Sequence, residues 1–173
     1  MVLSLDLSTK SSGYALYTDD KIIYKYGCIT ASSSNLFNRI HKMVNEIEQV
    51  LINNSITKVV IEDVIPEDVR GNQKVFKALM YLQGFVLDLL NKHGITDITF
   101  YTASEWRKKC GIHTGRGIKR ESLKPKDIQF VWNQFGISVN DDIADAICIG
   151  FAAVGGEIKK SEVITSEDGF EFV

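Results

Sequence analysis

The stretch "VNDDIADAICIG", residues 139–150, joins a group of carboxylates to a run of small apolar residues. The apolar run, 146–150, is typical of a helix with one buried face. An Asp at a helix start usually caps the helix and is stabilised by its dipole, which accounts for Asp141. Asp142 and Asp145 are three positions apart and therefore share one face of the helix. Asp145 lies a full turn after the helix start, so capping does not explain its presence. The stretch therefore predicts a helix that carries carboxylates to a functional site.

Length and composition predict one globular domain. The chain has 173 residues, 45% hydrophobic and 24% charged, which is ordinary for such a domain. We expect the domain to span 1–155 and a polar C-terminal tail to span 156–173. No apolar run reaches the ~18 residues of a membrane span, and the N-terminus has no basic signal-peptide region. The three distant cysteines favour neither a disulfide framework nor a metal knuckle, so we expect a reducing cytoplasm.

A basic segment lies inside this otherwise acidic chain. The net charge is −2, which by itself argues mildly against a nucleic-acid partner. Residues 107–126 nevertheless contain eight basic residues and one acid, Glu121. The part over 107–123 has three glycines and no apolar period, so we predict a loop. Without other information, its charges are phosphate contacts or a solvated surface, and Trp106 beside it is more typical of a core residue.

The order of strands and helices predicts the fold. Predicted strands span 2–8, 12–18, 20–30, 58–65 and 97–103, and predicted helices span 35–54, 72–92, 125–136 and 141–155. Three strands with tight connections are typical of an antiparallel meander, and the later βαβ units require crossovers. We therefore predict an α/β fold with a mixed five-stranded sheet, in the order 3-2-1-4-5, and helices on both faces. The 72–92 helix is apolar on more than one side, so we expect it to contact a second subunit.

Two further acids lie within apolar strands. Asp6 falls in the first predicted strand and Glu62 in the fourth. A lone strand acid is usually edge-exposed or hydrogen-bonded, but these two strands are central neighbours in the predicted sheet, and the last helix can lay Asp142 and Asp145 across them. Carboxylates this close repel one another, and a hard divalent cation relieves the repulsion. The set predicts a two-metal site for Mg²⁺ or Mn²⁺, which can activate water and stabilise the leaving oxygen of a phosphodiester.

Three segments of the chain resemble the signatures of a known family. They are "DLSTKSSGY" (6–14), "VIED" (60–63) and "DDIADAICIG" (141–150). The matching residues are Asp6, Gly13, Tyr14, Glu62, Asp142, Asp145 and Ala146. In this order they resemble RuvC-type Holliday junction resolvases, which belong to the ribonuclease H-like superfamily. The short chain is more similar to the resolvases of bacteriophages than to the bacterial enzyme. Leu7–Ser8 stand where the family usually has Pro-Gly, and Ile65 stands where it often has an aromatic wedge.

The resemblance implies a metal-dependent, structure-selective endonuclease that cleaves four-way junctions and other branched DNA. The implied catalytic residues and metal ligands are Asp6, Glu62, Asp142 and Asp145. The enzyme would act as a homodimer through the 72–92 helix. The expected DNA contacts are Ile65, Arg70, Lys74, Lys108, Lys109, Arg116, Lys119, Arg120 and Lys124. Ile65 has no aromatic ring to stack on an unpaired base and can only wedge at a kinked base step. We therefore expect the enzyme to cleave forks and flaps as well.

Two other classes of protein remain open at this point. Nucleotide-binding proteins of the actin or sugar-kinase type also open with an Asp-bearing strand and a small-residue turn, as in 6–13. Such proteins need two domains, however, and 173 residues leave room for one. A non-catalytic nucleic-acid-binding module on the same scaffold is the other alternative, and the four retained acids argue against it.

Overall fold

The computed structural model describes residues 1–66, 72–115 and 120–158, without the side chains of Arg120 and Glu121. The strands are β1 (Val2–Asp6), β2 (Ser11–Tyr17), β3 (Ile23–Thr30), β4 (Lys58–Glu62) and β5 (Asp97–Tyr101). The helices are α1 (Leu36–Ile52), α2 (Gln73–Lys92), α3 (Ala103–Lys109), α4 (Arg120–Phe135) and α5 (Asp141–Val154). Within these ranges, no helix has the length and apolar character needed to cross a membrane.

The five strands form one mixed sheet in the order β3-β2-β1-β4-β5. β1 pairs antiparallel with β2 and parallel with β4, and β4 pairs parallel with β5. The predicted α/β fold and strand order are therefore confirmed. The central position of β1 places its last residue, Asp6, between two neighbours. Gly13 of β2 is its direct partner, and Leu5 lies opposite Ile61 of β4.

Helices cover both faces of the sheet, as predicted. α1 and α2 pack on one face against Leu3 and Leu5 of β1. α3, α4 and α5 cover the other face, where Ile147 of α5 is fully buried. Because side chains alternate along a strand, Asp6 points away from the α1–α2 face and toward the face that carries α5.

The last helix, α5, is buried on all sides rather than on one face. Residues 144–152 are all buried, because the helix lies between the sheet and helices α3 and α4. The Ser4 hydroxyl donates to the carbonyl oxygen of Ala146 at 2.7 Å. The Tyr17 hydroxyl donates to that of Ile147, also at 2.7 Å. These bonds fix the position of α5 on β1 and β2.

Gly13 allows the start of α5 to lie directly on the sheet. A Cβ at this position would be 1.9 Å from the carbonyl oxygen of Asp142. The backbone of β2 and the first turn of α5 are therefore in contact, and only a residue without a side chain permits this approach. The contact sets the height of Asp142 above the end of β1.

The prediction of a loop over 107–123 is wrong in part. α3 extends into it, and α4 begins at Arg120 rather than at Pro125. The start of α3 is a capping box, in which Thr102 and Glu105 satisfy each other's backbone N–H groups. This signal is in the sequence, but α3 is too short to show an apolar period. Pro125 is typical of a first helical turn, which explains the late start that was predicted for α4.

Candidate active site

The ends of two neighbouring strands hold Asp6 and Glu62. Asp6 is the last residue of β1 and Glu62 the last residue of β4, and the strands are parallel. The carboxyl ends of parallel strands meet at one edge of the sheet, which is the usual position of ligand sites in α/β folds. Both side chains are half-buried. Their negative charges both act on Asp145 of α5, so the three carboxylates share one environment.

The first turn of α5 gives its acids different surroundings. Asn140, and not Asp141, is the N-cap, and its side chain accepts from the N–H of Ile143 at 3.0 Å. Asp141 forms an ion pair with Lys124 of α4. The hydrogen bond from Lys124 lowers the pKa of the Asp141 carboxyl. Asp141 therefore joins two helices and is not part of the carboxylate cluster.

Asp142 lies beside the start of β2. Its Oδ2 accepts a hydrogen bond from the Ser11 hydroxyl. Cys28 Sγ of β3 is 4.0 Å from the same oxygen and 3.0 Å from Ser11 Oγ. Burial raises the pKa of the Cys28 thiol against the effect of the Ser11 hydrogen bond, and the charges of Asp142 and Asp6 raise it further. The sequence does not predict the contacts of Ser11 and Cys28 with Asp142, because they depend on the β2–β3 register and on the packing of α5 against these strands.

Asp145 is the most deeply placed of the four acids, with 3% of its surface exposed. In the described part of the chain, its Oδ1 has no hydrogen-bond partner, and its Oδ2 lies 3.9 Å from Arg107 Nη2. Burial, followed by the charges of Asp6, Asp127 and Glu62, raises the pKa of Asp145 well above its usual value, and Arg107 opposes the shift. A buried carboxylate in this position is costly, and a bound cation would offset the cost.

Two consecutive residues of α3 contact this cluster. The Trp106 indole N–H donates to Glu62 Oε2 at 2.8 Å. Arg107 donates from Nε to Asp127 Oδ1 at 3.1 Å and from Nη2 to Asp127 Oδ2 at 2.7 Å. All of these except Glu62 are buried. Trp106 is in the core, as expected, but it also contacts the site. Arg107 belongs to a buried ion pair rather than to an exposed basic segment, and Asp127 was not anticipated.

The four acids fit a hard cation in their chemistry. Across 1–66, 72–115 and 120–158, no three or more His, Cys, Asp or Glu side chains form a group that could hold a metal ion as they stand. The unsatisfied Oδ1 of Asp145 and the repulsion from Asp6 and Glu62 nevertheless match the needs of an oxygen-ligated divalent cation.

The predicted DNA contacts fall into three groups. Lys74, Lys108 and Lys109 are exposed on α2 and α3. Ile65, after the end of β4, and Lys124, which pairs with Asp141, are half-buried. Arg70, Arg116 and Lys119 lie outside the described residues, as does the side chain of Arg120. Lys124 therefore lies beside the acidic start of α5.

The sheet order and the placement of the helices are those of a ribonuclease H-like fold, in the form of RuvC-type Holliday junction resolvases. The chain superposes on Thermus thermophilus RuvC in complex with a Holliday junction substrate with a TM-score of 0.71 and 14% identity, over 89% of this chain and 92% of that one. The fowlpox virus resolvase, solved with Holliday junction DNA, gives 0.53 and 13%, over 88% and 95%. The yeast mitochondrial resolvase Ydc2 gives 0.51 and 13%, over 89% and 77%.

No family model and no curated protein matches the sequence. The common fold is shown by the TM-scores of 0.51–0.71, since identities of 13–14% are too low to show it. The fold that the resemblance implied is therefore confirmed.

Proposed function

We propose that this protein is a metal-dependent, structure-selective endonuclease that cleaves four-way junctions and other branched DNA. The observation that carries the proposal is the position of four acids. Asp6 and Glu62 end the neighbouring parallel strands β1 and β4, and α5, which packs on both strands, carries Asp142 and the buried Asp145. Two structures of similar fold contain Holliday junction DNA, which supports branched DNA as the substrate. The three free cysteines support action in a reducing cytoplasm.

The proposed ligands of two Mg²⁺ or Mn²⁺ ions are Asp6, Glu62, Asp142 and Asp145. When bound, such ions supply an activated water and stabilise the leaving oxygen of a phosphodiester. The chain's own residues hold the ligands in place, since Ser11 donates to Asp142 and Trp106 donates to Glu62. Arg107, 3.9 Å from Asp145, favours the charged form of that carboxyl.

Cleavage of a labelled four-way junction tests the function directly. We expect nicks in opposing strands with Mg²⁺ and none with EDTA. A linear duplex of the same length is the control and should stay intact. Because Ile65 replaces an aromatic wedge, forks and flaps should also be nicked. Binding without nicks in either Mg²⁺ or Mn²⁺ would favour the non-catalytic module, and the absence of any DNA binding would contradict both readings.

DNA binding is proposed to depend on the basic segment over 107–126, with Arg70 and Lys74 as further contacts. Replacing Arg116, Lys119 and Arg120 together with Ala should weaken binding to duplex, fork and four-way DNA alike. The slope of log affinity against log salt should fall by about one unit for each lost phosphate contact.

Competition binding at several salt concentrations measures this effect on affinity. Lys42→Ala, at an exposed position on α1, is the control and should leave the slope unchanged. A loss confined to one DNA shape would contradict the assignment, since phosphate contacts do not distinguish shapes.

The α1 and α2 helices carry an exposed aromatic surface on the side away from the sheet. Phe37 stacks on Tyr81 with ring centroids 6.1 Å apart, and His41 meets Phe85 edge-on at 5.6 Å. Phe37 and Tyr81 are each 49% exposed. We propose this surface as the homodimer interface, because α2 is the helix with more apolar surface than its own sheet covers. Leu82 of α2, by contrast, is fully buried in the protomer core.

Tyr81→Glu should convert the dimer into monomers, because it places a charge within this aromatic surface. Sedimentation velocity at micromolar concentration, without DNA, measures the change in assembly. Tyr24→Glu is the matched control, since Tyr24 is 61% exposed on the edge strand β3, and it should leave the dimer intact. A monomeric wild-type protein under these conditions would contradict the interface.

A further inference from the structure

The indole of Trp106 is hydrogen-bonded to a carboxylate of the site. Trp106 is fully buried, and its N–H donates to Glu62 Oε2 at 2.8 Å. An indole has one donor and no acceptor, so a buried indole needs an acceptor. Most side-chain hydrogen bonds go to backbone groups or water. A bond to a carboxylate is stronger because it is charge-assisted, so this contact constrains Glu62 as well as Trp106.

The two partners of this bond are anchored by different elements. Glu62 is the last residue of β4, which is an interior strand of the sheet. Trp106 lies on α3, and a capping box fixes the start of this helix. The residue after Trp106 is Arg107, which is bound to Asp127 of α4. The capping box before Trp106 and the Arg107–Asp127 bond after it therefore fix the position of the indole. The fixed indole limits the rotation of the Glu62 carboxylate. A carboxylate offers about four acceptor positions, so one indole bond does not exhaust its capacity to bind a metal.

We propose that Trp106 is a positioning residue for the metal site, an inference that rests on the proposed function. Its N–H would hold Glu62 in an orientation from which the carboxylate could bind the ion together with Asp6 and Asp145. Partners that orient a metal ligand typically contribute about 10- to 100-fold to metal affinity.

Trp106→Phe tests this role because it removes the donor and retains an apolar ring. Without DNA, the affinity for Mn²⁺, measured by electron paramagnetic resonance of the free ion, should fall by about tenfold or more. The Mg²⁺ concentration for half-maximal nicking should rise by a similar factor, and saturating Mg²⁺ should restore most of the nicking. Trp132→Phe is the matched control, because Trp132 is 54% exposed on α4, and it should change neither quantity. Unchanged Mn²⁺ affinity in folded Trp106→Phe protein would overturn the proposal.

A second measurement leaves Trp106 in place. The chain has two tryptophans, so a ¹H–¹⁵N spectrum contains two indole resonances, and Trp132→Phe assigns them. The Trp106 resonance should shift when Glu62 is replaced by Gln and when Mg²⁺ is added to the wild-type protein, while the Trp132 resonance stays in place. If the protein nicks junctions but its Trp106 resonance does not shift on addition of Mg²⁺, the positioning role alone is overturned. A wild-type protein that binds no Mn²⁺ and nicks no branched DNA would overturn the proposed function and this role with it.

Discussion

Asp145→Asn is expected to reduce nicking of a four-way junction by more than about 100-fold, because loss of even a supporting partner of a metal ligand costs about 10- to 100-fold. The amide retains the shape of the side chain but is no longer an anionic ligand. Binding of the junction in EDTA should persist, since phosphate contacts come from other residues. Single-turnover nicking measures the first effect, and a mobility-shift titration measures the second.

The same substitution should raise the thermal stability of the metal-free protein. The Asp145 carboxylate is buried, with Asp6, Glu62 and Asp127 near it, and its charge is therefore disfavoured. A neutral amide removes this repulsion, so the Tm measured in EDTA should rise while the nicking rate falls. A loss of activity combined with a gain in stability is typical of residues retained for function.

The neighbouring carboxylate provides the control for both measurements. Asp141→Asn removes a charge that pairs with Lys124, and its effect on nicking should be mild. Asp6→Asn, Glu62→Gln and Asp142→Asn should each reproduce the loss caused by Asp145→Asn. Near-wild-type nicking by Asp145→Asn would show that the proposed set of metal ligands is wrong.

Asp127→Ala is expected to lower the free energy of unfolding by about 3–5 kcal/mol, the usual cost of removing one partner of a buried ion pair. Asp127 is fully buried and accepts three hydrogen bonds from Arg107. Without it, the guanidinium stays buried, and the charges of Glu62 and of Asp145, whose Oδ2 lies 3.9 Å away, offset its own less well. The midpoint of urea unfolding measures the loss, provided that the slope of the transition is unchanged.

Two comparisons separate the buried pair from charge effects in general. Asp88→Ala breaks an exposed pair with Lys92 on α2 and should change the unfolding midpoint little. Replacing both partners, Arg107→Met with Asp127→Leu, removes both buried charges and should recover most of the stability that Asp127→Ala loses. An Asp127→Ala protein as stable as the Asp88→Ala protein would show that the pair contributes little.

The sequence by itself determined the sheet and the helix that crosses it. Apolar, β-rich runs predicted five strands, and the connection rules for meanders and crossovers predicted their order. That order makes β1 and β4 neighbours, so two acids in apolar strands, Asp6 and Glu62, could be placed side by side. The position of Asp145 one turn into α5 depended on helical spacing alone. These inferences need only distances along the chain and the topology, while the chemical roles of the acids stay predictions until the substitutions are made.

Only the tertiary structure decided which side chains hold those acids in place. Trp106 and Glu62 are 44 positions apart, and Arg107 and Asp127 are 20 apart, so no spacing rule connects them. By composition, Arg107 belongs to a basic, loop-like segment. Its burial depends on the packing of α3 against α5 and on the ion pair with Asp127 of α4. A seven-residue helix has too few turns to show that packing as an apolar period. Hydrogen bonds between distant segments depend on how the elements pack and which rotamers this packing permits, and a local pattern contains neither.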